Sequence, residues 1–170
     1  MAIASRPSLA VVGARNATPQ GEANAESFSR ALSDAGLCIV SGLALGIDAA
    51  AHRGGLAGPG STVAVIGTGA DRIYPARNAA LARQIAEAGA IVSEFPLGIG
   101  PLAHNFPRRN RLIAGLAQGV LVVEAALKSG SLITARLAAE QGRVDLRRVH
   151  RRDRPDFLAD VLADFFGEVA

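Results

Sequence analysis

The sequence predicts an α/β fold: a doubly wound, mostly parallel sheet with helices on both faces. Three observations predict it. β-Branched apolar runs of five or six residues recur along the chain, and stretches rich in Ala, Leu, Glu and Arg at helical spacing separate them. Gly, Ser, Thr and Arg gather in the connections that follow the apolar runs. Runs this short and this continuously apolar read as strands buried on both faces, and their alternation with helix-length segments is a βαβ series.

The strands are expected at 9–13 ("LAVVG"), 38–42 ("CIVSG"), 62–67 ("TVAVIG"), 90–95 ("AIVSEF") and 120–125 ("VLVVEA"). The helices are expected near 21–35, 46–57, 77–88, 108–118 and 131–141. After Arg143 a sixth strand is due, but "VDLRRVHRRDRPDF" is dense in charge, so 143–155 reads as irregular. An amphipathic helix carrying Phe157, Leu158, Val161, Leu162, Phe165 and Phe166 closes the chain. The organisation expected is therefore one core over 1–143 and a divergent charged tail over 144–170. At 170 residues one domain accounts for the whole chain.

Composition excludes several classes. Arg, Asp, Gly or Pro interrupts every apolar run before it reaches the roughly 18 residues of a membrane span, and the first residues lack a charged start with a long apolar stretch behind it. A cytoplasmic protein without a membrane segment is expected. The lone Cys38 allows neither an internal disulfide nor a thiolate metal cluster, and in "LCIVSG" it reads as a small core residue. Of 18 basic residues only Lys128 is lysine. Arg pairs bidentately with phosphate and stacks on bases, although a genome rich in G and C also writes Arg wherever a cation is wanted. Position has to decide between the two.

In a sheet of this kind ligands bind beyond the carboxyl ends of the strands. "SGLALGID" places Ser41, Gly42 and Gly46 ahead of a helix whose first turn carries Asp48. This is either an anion nest or a tight βα turn capped by Asp48. "KSGSLITAR" repeats the arrangement with Lys128, Ser129, Gly130 and Ser131, where Ser capping is the plainer reading. "HNFPRRNRLIAGL" sets His104, Asn105, Phe106, Arg108, Arg109, Asn110 and Arg111 around a helix start expected at Pro107. The helix dipole disfavours cations there, so three arginines call for an anion, and Phe106 offers a base a surface to stack on.

No catalytic constellation emerges. "GTGADR" is a partial dinucleotide fingerprint with Arg72 in place of its third Gly, and no GxxxxGK[ST] phosphate loop exists. His52, His104 and His150 are scattered, and His52 beside Arg53 is expected at a solvated surface. Glu94 and Glu124 both end strands, as an acid/base pair or as partners for Arg109 and Arg111; the second is preferred. Asp48 and Asp71 have no metal-ligand spacing. Neither a metal nor a cofactor is expected.

The stretches "VVGARNATPQG", "IVSGLALGIDAAAHRGGL", "TVAVIGTGADRIYPARN", "VSEFPLG" and "NFPRRNRLIAGLAQGVLVVEAALKSGSLITARLAAEQGR" together resemble the Rossmann-like core of the DprA/Smf family, the DNA-processing proteins of natural transformation. The likeness runs from about Leu9 to Arg143. It implies a bacterial cytoplasmic protein that is not an enzyme. Such a protein holds incoming single-stranded DNA, assists loading of the RecA recombinase and pairs with a second copy of itself. It places the DNA groove at Arg15 of "GARN", at Ser41 and Gly42, along "HNFPRRNR" and at "KSGS". The family continues after "GR" with a strand that is not recognisable here. The other reading is a nucleoside-monophosphate phosphoribohydrolase of the lysine-decarboxylase-like group, in which Glu124 would act; the Pro-Gly-Gly-x-Gly-Thr pattern of that group is missing.

Overall fold

The computed structural model describes residues 6–125, 130–142 and 144–147. Six strands form one sheet: β1 (Ser8–Gly13), β2 (Cys38–Ser41), β3 (Thr62–Val65), β4 (Ala90–Val92), β5 (Gly119–Val123) and β6 (Val144–Arg147). Five helices connect them: α1 (Pro19–Asp34), α2 (Ile47–Leu56), α3 (Ala79–Ala88), α4 (Asn105–Leu116) and α5 (Gly130–Glu140). A single 3₁₀ turn, Ala76–Asn78, leads into α3. Every strand pair is parallel, and the order across the sheet is β4-β3-β2-β1-β5-β6.

Alternation along the strands sorts the core into two layers. Leu9, Val11, Ile39, Leu121 and Val123 pack with Ala25, Leu32, Ile47, Ala50 and Ala51 of α1 and α2. Ala10, Val12, Val40, Val63, Val65, Val120 and Val122 pack with Ile113 and Ala114 of α4 and Ala135 and Ala138 of α5. Ala64 turns to the first side, where Ala82 and Ile85 of α3 meet it. A period of two on a strand covered on both faces yields this pattern. The doubly wound expectation therefore holds, with helices on both faces. Among the described residues no helix is long and apolar enough to cross a membrane.

The expected absence of a sixth strand is corrected. Val144–Arg147 pairs in parallel with β5, from Gly119 opposite Val144 to Val122 opposite Arg147. The sequence Val-Asp-Leu-Arg alternates apolar and charged residues, the pattern of a strand at a sheet edge rather than of a centre strand. Charge there was read as irregular chain, and so the boundary at 143 cut through the sheet. The remainder of the tail, with its expected helix, lies outside the described residues. β4 ends earlier than expected, at Val92, because the Ser93 hydroxyl donates to Thr68 O (2.6 Å) and accepts from Phe95 N (3.0 Å), folding the chain into a turn.

From β1 the chain winds outward to β4, then returns to place β5 on the other side of β1. The two windings part between β1 and β5. At their carboxyl ends this leaves the crevice in which such sheets bind ligands.

A candidate nucleic-acid interface at the switch point

A cavity of about 400 Å³ opens at that crevice. Gly13, Ala14, Arg15 and Asn16 from the turn after β1 line it, with Ala44 and Asp48, with Phe106, Pro107, Asn110 and Ile113 of α4, and with Gly130, Ser131, Ile133 and Thr134 of α5. Phe106 is half-buried, its ring against Gly67, where a Cβ would come within 2.9 Å of the ring. The exposed Arg15 sets its guanidinium carbon 5.8 Å from the ring centroid, within cation–π range. Tyr74 approaches the same ring at 5.6 Å, tilted by 43°. Asn110 accepts from Arg109 Nε (3.1 Å) and donates to Gly130 O (3.4 Å), joining α4 to α5 beside the cavity.

Several expected ligand residues are committed internally. Arg109 is buried, and its Nη1 donates to the carbonyls of Gly42 and Val65. Asp48, also buried, accepts from the Gly42 amide (3.1 Å) and the Ala44 amide (3.4 Å). The 42–46 turn thus closes on the chain's own carboxylate, while α2 begins after Gly46 without a side-chain cap. A Cβ on Gly42 would lie 2.7 Å from both Arg109 Nη1 and Asp48 Oδ2, so the absent side chain makes room for this pair. Gly46 serves the fold as well. Its φ of +73° suits glycine, and a Cβ would lie 2.4 Å from Ala14 O. Ser41 is buried and donates to Val11 O (2.7 Å), bridging β2 and β1. Burial pushes the Asp48 carboxyl above its usual range, opposed by Arg109 and by the Ala44 and Gly42 amides. Burial lowers Arg109, with Asp48 opposing.

His52 is corrected from a surface to a core position. It is fully buried: Nε2 accepts from the Leu43 amide (3.2 Å), and Nδ1 lies 2.7 Å from Thr62 Oγ1. Thr62 Oγ1 itself donates to Ile39 O, so the imidazole proton sits on Nδ1. Burial first, then the Arg109 charge, pushes His52 down to about 3. Leu43 holds a φ of +59°, and Asn78 ties it from the other end by donating to Leu43 O (2.9 Å).

The glutamates divide. Glu94 takes Arg111 as expected. Glu124 pairs with no arginine among the described residues. One carboxylate oxygen accepts from Thr18 N (2.9 Å) and the other from Thr18 Oγ1 (2.6 Å), which in turn caps α1 through Gly21 N (3.0 Å). Asn105 is buried, and its Nδ2 finds no hydrogen-bond partner among the described residues. His104 occupies the N-cap position of α4, exposed and without a side-chain cap. Arg108 is exposed, its guanidinium carbon 5.7 Å from the Phe95 centroid. Of the second nest, Gly130 and Ser131 line the cavity. Lys128 and Ser129 lie outside the described residues.

The structure brings together Arg15, Phe106, Asn110, Gly130 and Ser131, and leaves Arg15 and Arg108 as the exposed cations of the set not paired with a carboxylate among the described residues. Asn16 and Thr134 of the cavity lining, and Tyr74 against the Phe106 ring, were not singled out by the sequence. Tyr74 had a visible mark: it is the one tyrosine of the chain, in a connection that follows a strand.

A doubly wound parallel sheet with a cavity at its switch point is a Rossmann-like fold. Sequence comparison gives that class its family: the chain belongs to the family of DNA recombination-mediator protein A, whose model matches residues 1–150. Protein Smf of Escherichia coli is 56% identical over 136 residues, which is 79% of this chain and 36% of that protein. The structure of DNA processing protein A from Streptococcus pneumoniae superposes with a TM-score of 0.76 at 47% identity, covering 83% of this chain and 50% of that one. DNA processing protein A from Helicobacter pylori, solved for its single-stranded DNA binding mode, superposes with a TM-score of 0.82 at 31% identity, covering 96% and 84%. The chain spans between about a third and a half of the length of the curated relatives it matches.

Proposed function

We propose that the chain binds single-stranded DNA across the carboxyl edge of its sheet, with bases entering at Phe106 and phosphates meeting Arg15 and Arg108, and that it acts in homologous recombination of incoming DNA without a catalytic step of its own. The observation that carries this reading is the half-buried Phe106 ring with Arg15 5.8 Å from its centroid at the mouth of the 400 Å³ cavity. Aromatic platforms beside exposed cations hold single strands with little sequence preference, since every base has a face to stack. A duplex keeps its bases paired and away from such a ring. The single-stranded DNA binding mode described for the Helicobacter pylori relative supports the same ligand. The RecA recombinase, a second copy of this chain and a cytoplasmic setting extend the reading, supported by the family's description as a recombination mediator.

The test is fluorescence anisotropy with oligothymidine against a duplex of equal length. The chain is expected to prefer the single strand. Phe106→Ala is expected to reduce single-strand affinity by roughly 1–3 kcal/mol, about 5- to 150-fold, and to remove the preference. Equal binding of duplex by the unaltered chain would overturn the groove reading. Full preference in the variant would overturn the stacking role.

A further inference from the structure

Tyr74 stands at the edge of this site and is 47% exposed, next to Ile73 at 44%. An aromatic side chain left in water beside another half-buried ring has unused stacking surface. The 43° tilt and 5.6 Å centroid spacing give the two rings separate faces rather than one shared stack. Neighbouring nucleotides rise about 3.4 Å along a duplex strand, and a splayed single strand extends further, so the spacing suits two successive bases.

The turn that carries Tyr74 is fixed in place. Thr68 Oγ1 donates to Arg72 O (2.7 Å), Gly69 N to Ile99 O (2.9 Å), and Gly98 N to Asp71 Oδ1 (2.8 Å). On the other side Asn78 N donates to Pro75 O (3.0 Å), and its side chain holds Leu43 O and Ala44 O. A ring held at both flanks loses little freedom when a base covers it, which favours a binding role over a floppy surface residue. Arg77, exposed, adds positive charge to the same connection, whereas Arg72 is met by the carboxylate of Asp71 at 3.5 Å.

We propose that Tyr74 is a second base-stacking platform, taking the base next to the one on Phe106, so that the single-strand track runs from the cavity at Arg15 over Phe106 onto the connection between β3 and α3. This rests on the single-stranded DNA reading above. The chain supplies its own reporter, because Tyr74 is its only tyrosine and it has no tryptophan. Tyrosine emission of the intact protein is followed during titration with oligothymidine and with an abasic deoxyribose-phosphate strand of the same length, while anisotropy of a labelled oligothymidine measures binding independently.

Emission is expected to fall with oligothymidine along the same isotherm as the anisotropy, and to stay level with the abasic strand. Tyr74→Ala is expected to weaken oligothymidine binding roughly fivefold or more and to leave abasic-strand affinity unchanged, while Tyr74→Phe restores binding. Binding by anisotropy with unchanged emission, or equal quenching by the abasic strand, would overturn the Tyr74 platform and leave the single-stranded DNA reading standing. No binding of any single strand by anisotropy would overturn that reading, and the platform with it.

Discussion

Arg109 and Asp48 grip Gly42 from its two ends: the guanidinium takes its carbonyl oxygen and the carboxylate takes its amide at 3.1 Å. Arg109 also takes Val65 O, so one side chain of α4 locks the turns after β2 and β3 to each other. Three positions earlier on the same helix, Phe106 presents its ring to the cavity. The buried pair thus sets the helix whose outer residues form the site.

Removing Arg109 leaves the buried Gly42 and Val65 carbonyls without their donor and takes away the nearby positive charge that favours ionised Asp48. Arg109→Ala is expected to cost roughly 3–5 kcal/mol and to lower the melting temperature by roughly 10 °C. Arg109→Ala with Asp48→Ala is expected to cost less than the sum of the two. Thermal melts of the three variants check this. A melt within 2 °C or so of the parent, with DNA affinity lost, would instead place Arg109 on the ligand.

His52 makes stability depend on pH. The unfolded imidazole takes a proton near 6.5, and burial holds the folded one neutral down to about 3. Between those values only the unfolded state is protonated. Stability is therefore fully present above pH 6.5 and falls as pH drops toward 3, by about 1.4 kcal/mol per unit. Asp48, raised by burial, works in the opposite direction, so the difference between the parent and His52→Gln isolates the histidine. Urea melts from pH 4 to 7 should show the two stability curves converging as pH falls. Parallel curves would mean that the buried imidazole is charged in the fold.

Glu124 closes the mouth of α1 through Thr18 and holds a φ of +51° to do so. Glu124→Ala removes both acceptors and is expected to cost about 1–2 kcal/mol, while leaving oligothymidine affinity within about twofold. Paired melting and anisotropy measurements decide it. Lost affinity at an unchanged melting temperature would put the carboxylate at the ligand.

The sheet was legible because five of its strands are short continuous apolar runs, and the switch-point edge followed from where Gly, Ser and Arg cluster. The sixth strand was not, since Val-Asp-Leu-Arg contains no continuous apolar run and the charge around it reads as loop. Charge also misled at Arg109 and His52. Polar residues enter a core when their hydrogen bonds are satisfied there. The carbonyls of Gly42 and Val65 that satisfy Arg109 stand 67 and 44 residues away in the chain. No local pattern carries that information. Arg111 with Glu94, by contrast, joins a helix to the connection just before it, and the sequence alone suggested that pair.

The salt dependence of single-strand binding tests this edge of the sheet most directly. Arg15 and Arg108 are the exposed arginines of the site without a carboxylate partner among the described residues, so they are the ones left to meet phosphate. Each phosphate contact adds roughly 0.7 to the slope of log affinity against log salt for a single strand. Oligothymidine binding measured across a salt series should therefore give a slope shallower by roughly 1.4 in Arg15→Ala/Arg108→Ala than in the parent, with melting temperatures within a few degrees. A double variant that kept the parent's slope and affinity would contradict the account and move the DNA off this edge of the sheet.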